Sequence, residues 1–198
     1  MMNKIYRINE IFYSLQGEGR WTGRAAIFVR FSGCNLACPF CDTDFSGYTE
    51  LTALEIVKRC KQECDKCKFV ILTGGEPTLQ VDDELVRALH AEGYFISMET
   101  NGTHSYPEGI DWVTCSPKDA FCDHAEPVIQ KANELKVVFD DAHAVKSYDM
   151  AVDYRFLQPC DVDNTARNSL ILSNCIKYIK ENPEWQLSVQ MHKVIGIR

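Results

Sequence analysis

Three cysteines in the first quarter of the chain limit what this sequence can fold into more than any other feature. Cys34, Cys38 and Cys41 have the spacing Cys-x3-Cys-x2-Cys. The glycine before them and the asparagine and proline between them are poor helix formers, so we expect a loop that directs the three thiols at one centre. A 4Fe–4S cluster held by protein alone takes four thiolates, so three would leave one iron open to another ligand. A zinc knuckle or an incidental group of buried cysteines is the alternative interpretation.

Short apolar runs alternate with helical patterns along the rest of the chain. Residues 5–20 read as a short strand that runs into a loop, and Thr52 with Glu55 forms a capping box that predicts a helix to about residue 62. Further strands are predicted over 26–31, 69–72, 94–98, 112–115, 135–139, 154–157 and 186–191, and further helices over 82–90, 141–150 and from Asp163 or Asn164 to about 181. This order predicts an α/β fold: a partial, open (β/α) barrel with about six parallel strands and reduced helix content.

The residues with chemical potential come where the predicted strands end. The carboxyl ends of parallel strands meet at one rim, which is where (β/α) barrels build their active sites. We therefore expect the loops after successive strands to face one mouth. The residues predicted there are Cys34, Thr73, Glu99, Ser116 and Gln158.

Length and charge narrow the class of protein. A chain of 198 residues predicts one domain, residues 1–198. A net charge of −7 and a pI of about 5.2 argue against a nucleic-acid or anionic-membrane footprint. No apolar run approaches the roughly 20 residues of a membrane span, and the first ten residues lack the apolar core of a signal peptide. Ten cysteines without an export signal indicate metal or redox chemistry, and we expect a cytoplasmic protein.

Segments that flank the cysteines give the chain a specific resemblance. Upstream are Glu-Ile-Phe-Tyr-Ser-Leu-Gln-Gly-Glu-Gly at 10–19, Gly23 and Phe-Val-Arg-Phe at 28–31, and downstream is Asp-Thr at 42–43. Together with the cysteine spacing, this set resembles the 7-carboxy-7-deazaguanine synthases, which are radical S-adenosylmethionine enzymes, over nearly the whole chain. The resemblance implies conversion of 6-carboxy-5,6,7,8-tetrahydropterin to 7-carboxy-7-deazaguanine with loss of ammonia, in the pathway to 7-deazapurines such as queuosine. A 5′-deoxyadenosyl radical would take hydrogen from carbon 6 of the pterin and later return it.

The same resemblance implies cofactors, site residues and partners. The cofactors are one 4Fe–4S cluster on Cys34, Cys38 and Cys41, S-adenosylmethionine, and Mg²⁺ at Thr43. S-adenosylmethionine would contact Phe40, Cys41, Asp42, Gly75, Glu76, Glu99, Ser116, Pro117, Lys118 and Gln158. The pterin would contact Leu15, Gln16, Gly17, Glu18, Arg30, Thr73 and His192. A flavodoxin or ferredoxin would supply the electron, and a homodimer is expected.

Several of these residues have simpler interpretations that the sequence leaves open. Arg30 at the end of an apolar strand would bind a substrate carboxylate, or would pair with one of the protein's own acids such as Glu18. A threonine in the position of Thr43 is ordinarily a cap or turn residue. His192 could equally be a rim or core histidine. The charged C-terminal Arg198 departs from the apolar end that we expect of the family.

A second set of cysteines repeats the spacing of the first. Cys60, Cys64 and Cys67 lie near the end of the first predicted helix, where one helical turn separates the first two. A second cluster or a zinc site would use these thiols. We favour the absence of a metal, because this helix end lies opposite the predicted rim.

Two other functions share part of the pattern. A glycyl-radical activating enzyme uses the same cluster spacing but acts on a partner protein, and an electron carrier holds an iron–sulfur cluster without catalysis. The Gln-Gly-Glu-Gly loop and the Asp-Thr pair after the cysteines favour a small-molecule substrate.

Overall fold

A computed structural model describes residues 4–44 and 47–197. These residues form one nine-stranded sheet in the order β3-β1-β2-β4-β5-β6-β7-β8-β9. The strands are β1 Tyr6–Leu15, β2 Ala25–Phe31, β3 Thr49–Leu51, β4 Phe69–Gly74, β5 Phe95–Thr100, β6 Trp112–Cys115, β7 Glu134–Phe139, β8 Tyr154–Pro159 and β9 Gln186–Leu187. The α-helices within the described ranges are α1 Ala53–Cys64, α2 Asp83–Ala91, α3 Thr165–Glu181 and α4 Met191–Ile195. Arg198 lies outside the described residues.

The sheet is parallel from β2 to β9, and its first and last strands do not meet. This confirms the predicted open, partial (β/α) barrel, with six parallel strands of four to seven residues and a seventh of two. The long strand β1 is antiparallel to both β2 and β3. It covers most of residues 5–20, for which only a short strand was predicted.

Local capping chemistry sets where the helices begin. Thr52 accepts a hydrogen bond from the Glu55 backbone N–H, and the Glu55 carboxylate accepts from the Thr52 backbone N–H at 2.7 Å, as the capping box predicted. Asp82 caps α2 through the Leu85 N–H. Asn164, one of the two residues predicted, caps α3.

Two predicted elements are wrong. Residues 141–150 do not form a helix, because the Asp140 carboxylate accepts the backbone N–H groups of Ala142 and His143, and Asp141 has a φ of +59°. An aspartate that satisfies nearby backbone donors competes with helix formation. The strand predicted over 186–191 stops after Leu187, and α4 begins at Met191.

The core lies between the sheet and the helices on its outer face. One apolar cluster joins β2, β4 and β5 to α1 and α2, and a second joins β7 and β8 to α3. With this face covered, the carboxyl ends of the strands are left as the rim of a cleft. None of the helices in the described part of the chain is both long and apolar enough to cross a bilayer.

Candidate active site

The rim of the sheet encloses a cleft with two adjoining chambers. The larger chamber has a volume of about 690 Å³, and the smaller one, which we call the cysteine chamber, has about 270 Å³. Eight residues that line both chambers form a shared wall: Glu18, Arg30, Asp42, Thr43, Thr73, Glu99, Gln190 and Lys193. Loops from distant parts of the sequence therefore meet at one mouth, as the strand-end positions predicted.

The residues predicted to contact the pterin all line the larger chamber, and most of those predicted to contact S-adenosylmethionine line the cysteine chamber. The first set comprises Leu15, Gln16, Gly17, Glu18, Arg30, Thr73 and His192. The second set comprises Phe40, Cys41, Asp42, Gly75, Glu99, Ser116, Lys118 and Gln158, beside Cys34 and Cys38.

The cysteine loop is fastened to the neighbouring strand ends by backbone and amide groups. Asn35 donates to Thr103 at 2.9 Å and accepts from the Asn101 amide at 3.0 Å. The backbone N–H of Glu76 donates to the Gly33 carbonyl at 3.0 Å. At Gly75, a side chain would collide with the Gly33 carbonyl, so only glycine permits this close approach. The turn after β4 and the cysteine loop thus form one unit.

The thiols of Cys34, Cys38 and Cys41 all border the cysteine chamber. In residues 4–44 and 47–197, no three His, Cys, Asp or Glu side chains converge closely enough to hold a metal. Burial raises the pKa of Cys38 to about 12, and the hydrogen bond with Cys122 is the second largest cause of the shift. Three thiols at one chamber are the donor set that an iron–sulfur cluster uses, so they fit such a group, and its binding must draw them together and displace their protons.

Lys118 is one of the cations that line the cysteine chamber, and it lies beside Ser116. Its ammonium donates to the Ser116 carbonyl and, at 2.7 Å, to the Ser116 hydroxyl, and in the described chain it has no carboxylate partner. Burial is the main cause that lowers the pKa of Lys118, and repulsion from Lys136 lowers it further. An anionic ligand would supply the missing countercharge.

Two residues predicted to contact the cofactor, Glu76 and Pro117, do not line the cysteine chamber. Glu76 is fully buried behind the chamber, where its carboxylate accepts hydrogen bonds from Thr78, from the Thr100 hydroxyl at 2.7 Å and from the Asn101 backbone N–H at 2.7 Å. Its side chain therefore braces the ends of β4 and β5 and is not available to a cofactor. Pro117 is also buried and borders neither chamber, although its neighbours Ser116 and Lys118 line the smaller one.

Arg30 has an internal partner, but not the one considered from the sequence. The antiparallel register places Glu10 directly opposite Arg30, and the Arg30 Nε donates to the Glu10 carboxylate at 2.8 Å. Both residues border the larger chamber. Burial lowers the pKa of Arg30. The pair presents a partly buried guanidinium to the chamber in an orientation fixed by the neighbouring strand.

A buried lysine in β7 was missed by the sequence analysis. The Lys136 ammonium donates to Glu18 at 2.5 Å and to Glu99 at 2.8 Å. Burial alone would lower the pKa of Lys136, but Glu18 and Glu99 raise it above its usual value. Burial alone would raise the pKa of Glu18, but the charge of Lys136 and its hydrogen bond lower it below its usual value. The signal in the sequence is a lysine within an apolar strand, which cannot be buried without acidic partners.

The glutamine of the first loop extends this network. Gln16 donates to Glu99 at 3.0 Å and accepts the Glu18 backbone N–H at 3.2 Å. Its side-chain amide was predicted to contact the pterin directly, but the amide is already engaged on both sides. Two carboxylates of the shared wall, Glu18 and Glu99, are therefore held in place by hydrogen bonds from the Lys136 ammonium, and Glu99 also by one from Gln16.

Glu134 predicts a pH dependence of stability. Its side chain is buried beside the Arg20 backbone N–H, which donates to it at 3.1 Å, and burial raises its pKa to about 7 although Lys136 opposes the shift. The folded state therefore holds a proton that the unfolded chain loses near pH 4.3. The stability that this proton provides is complete below about pH 4.3 and is lost as pH rises through about 7.

We expect wild-type protein to lose about 2–3 kcal/mol of unfolding free energy through this group between about pH 5 and pH 8. Glu134→Gln, which is always neutral, should flatten that slope. Urea unfolding at three pH values measures it. Parallel slopes in the two proteins would contradict the assignment.

The second set of cysteines lies at the opposite end of the sheet. Cys60 is buried in the core beside α2, and the Cys67 thiol donates to the carbonyls of Ala25 and Phe69, at the starts of β2 and β4. Since these sulfurs belong to the packing and not to the rim, we expect one cluster per chain. Reconstituted protein should contain about four irons and no stoichiometric zinc. Iron clearly above four by elemental analysis, or one zinc per chain, would indicate a second metal site.

Comparisons with known proteins identify the family of this chain. The profile of the radical SAM superfamily matches residues 28–133. The 7-carboxy-7-deazaguanine synthase of Bacteroides thetaiotaomicron is 46% identical over 193 residues, covering 97% of this chain and 98% of that protein. The enzyme of that name from Bradyrhizobium diazoefficiens is 42% identical over 98% of this chain and 99% of that protein. A crystal structure of QueE from Escherichia coli has a TM-score of 0.72 and 26% identity, over 95% of each chain. The chain therefore belongs to the 7-carboxy-7-deazaguanine synthase family of the radical S-adenosylmethionine superfamily.

Proposed function

We propose that this chain converts 6-carboxy-5,6,7,8-tetrahydropterin to 7-carboxy-7-deazaguanine and ammonia. The observation that carries the proposal is that the two chambers share one wall. This arrangement gives a cysteine-lined site for cofactors directly beside a larger site for a substrate. A volume of about 690 Å³ lies within the range of small-molecule pockets. The names of the relatives support this product.

The cysteine chamber is suited to the cofactors of the superfamily. Cys34, Cys38 and Cys41 would hold the 4Fe–4S cluster. When bound, the reduced cluster and S-adenosylmethionine supply a carbon radical that can remove hydrogen from the substrate. Lys118 provides a cation for the carboxylate of the methionine moiety, and Gly75 lets backbone approach its amino group. Phe40 stands on edge against Phe121, with ring centroids 4.8 Å apart, and so covers this end of the chamber with apolar surface.

The larger chamber is suited to a flat, polar substrate that carries a carboxylate. Arg30, oriented by Glu10, would bind that carboxylate. Gly17 and His192 border this chamber together, and a side chain at position 17 would overlap His192, so the loop backbone packs directly against that histidine. Glu18 and Glu99, charged and fixed by Lys136, would accept N–H groups of the pterin from the shared wall.

Thr43 lies in the shared wall, where a metal could join protein to substrate. We propose that its hydroxyl binds Mg²⁺, which fills the rest of its octahedron with substrate oxygens and water. Thr43→Ala should weaken the apparent Mg²⁺ affinity in turnover by about tenfold or more. Thr43→Ser, which keeps the hydroxyl, should stay close to wild type. Titrating Mg²⁺ in the activity assay compares them, and identical curves for wild type and Thr43→Ala would remove the metal from this residue.

Anaerobic turnover tests the function itself. Reconstituted, reduced protein is incubated with S-adenosylmethionine, Mg²⁺ and the pterin, and product is followed by mass spectrometry. We expect 7-carboxy-7-deazaguanine and ammonia in equal amounts. Release of 5′-deoxyadenosine without the deazaguanine would contradict the substrate and favour an activating enzyme. We further propose a cytoplasmic homodimer that receives its electron from flavodoxin or ferredoxin.

A further inference from the structure

A fourth thiol lies against the cysteine loop. The Cys122 Sγ is 3.6 Å from the Cys38 Sγ, although 84 residues separate them in sequence. Cys122 lies outside the three-cysteine motif, and no role in the proposed ring contraction requires it. Both cysteines are partly buried, and Cys38 lines the cysteine chamber whereas Cys122 lies behind it.

The segment that carries Cys122 is anchored independently of the thiol. The N–H groups of Phe121 and Cys122 both donate to the Lys118 carbonyl at 2.9 Å, which closes a turn. Asp119 accepts hydrogen bonds from Lys146 and Tyr148 on the far side of this turn. Phe121 packs edge-on against Phe40 of the cysteine loop. The sulfur of Cys122 is therefore held in place by at least two other sets of contacts.

We propose that Cys38 and Cys122 form a reversible disulfide when the cluster is absent. Glutathione disulfide is a sufficient oxidant: one thiolate attacks it and releases one glutathione, and the second thiol displaces the other. The protein loses two electrons and two protons, and two glutathione molecules gain them. To form the bond, the sulfurs approach from 3.6 Å to about 2.05 Å.

The consequence concerns loading of the cofactor. A disulfide at Cys38 removes one of the three thiolates that hold the cluster, so oxidised protein cannot bind iron until it is reduced. The same bond protects Cys38 from irreversible oxidation to sulfinic or sulfonic acid. Cys122 thereby makes the cluster site of the empty enzyme recoverable.

A peptide map tests the disulfide without substrate. A negative result would therefore count against the disulfide and not against the proposed reaction. Cluster-free protein is incubated with glutathione disulfide at mildly alkaline pH, blocked with iodoacetamide after denaturation, and digested with trypsin. We expect peptides 31–58 and 119–131 to be linked, with a mass lower by two hydrogen atoms than their sum. Fragmentation should place the bond at Cys38. Unlinked peptides, or a link to Cys34 or Cys41 in its place, would overturn the proposal.

Matched variants complete the test. Cys122→Ser and Cys38→Ser should lose the linked peptide, whereas Cys175→Ser, a buried cysteine of the α3 core, should keep it. After oxidation, wild type should take up iron and sulfide only once dithiothreitol is added, whereas Cys122→Ser should take them up directly. Reduced Cys122→Ser protein that holds less iron than reduced wild type would make Cys122 a cluster ligand and overturn the proposal.

Discussion

Replacing Lys136 by Met is expected to lower the free energy of unfolding by about 3–5 kcal/mol. The lysine side chain is only 6% exposed and neutralises two carboxylates that are themselves less than one-fifth exposed. Methionine fills a similar volume but leaves Glu18 and Glu99 without a countercharge. Urea unfolding of both proteins at neutral pH measures the difference. A loss below about 1 kcal/mol would mean that water already screens the pair, as it does for surface ion pairs.

Two controls separate the missing charge from the altered packing. Adding Glu18→Gln and Glu99→Gln to Lys136→Met removes the unpaired charges and should restore much of the stability. The second control is pH. Because the pKa of Glu18 is lowered in the folded state, its contribution is present above about pH 4.3 and is lost as pH falls further. The deficit of Lys136→Met should therefore be largest near neutral pH and smaller in acid, whereas a packing defect would persist.

The parts of this fold that were predictable depend on local chemistry. The apolar runs that became β2, β4 and β6 and the caps at Thr52 and Asn164 are each readable within a few residues, so the elements and the rim followed from them. The mistaken helix over 141–150 shows the limit of that approach. Its sequence has no periodicity conflict, and the turn built by the Asp140 carboxylate excludes the helix together with the left-handed backbone of Asp141 and Tyr148.

Contacts between distant strands could not be predicted in the same way. Arg30 pairs with Glu10 because β1 runs antiparallel to β2 in one particular register, and no local pattern specifies that register. Glu18 meets Lys136 because a loop at one end of the sheet reaches over β7, 118 residues later. The sequence analysis showed that Arg30 needed a partner and did not single out Lys136, and strand order decided the partners of both.

The largest effect on activity is expected at the three cluster cysteines. Cys34→Ala, Cys38→Ala and Cys41→Ala should each reduce bound iron from about four per chain to well below one and bring product below detection. The reason is that this loop supplies only three thiolates, which already leaves one iron without a protein ligand. With only two thiolates, a second iron of the cluster would also lack one. Iron analysis and the visible absorbance of reconstituted protein measure the cluster, and the turnover assay measures product.

Cys64→Ala is the matched control, since Cys64 has the same spacing to Cys67 as Cys38 has to Cys41 but lies in the α1 end, against the apolar core. It should retain iron and activity, with at most a modest loss of stability. The comparison tests whether position at the rim, and not the cysteine pattern alone, decides where the cluster binds. If Cys64→Ala lost iron while Cys41→Ala retained it, the cluster would belong to the second set and the chambers at the rim would lack their source of radical chemistry. Zinc in place of iron at Cys34, Cys38 and Cys41 would likewise be incompatible with the proposed radical chemistry.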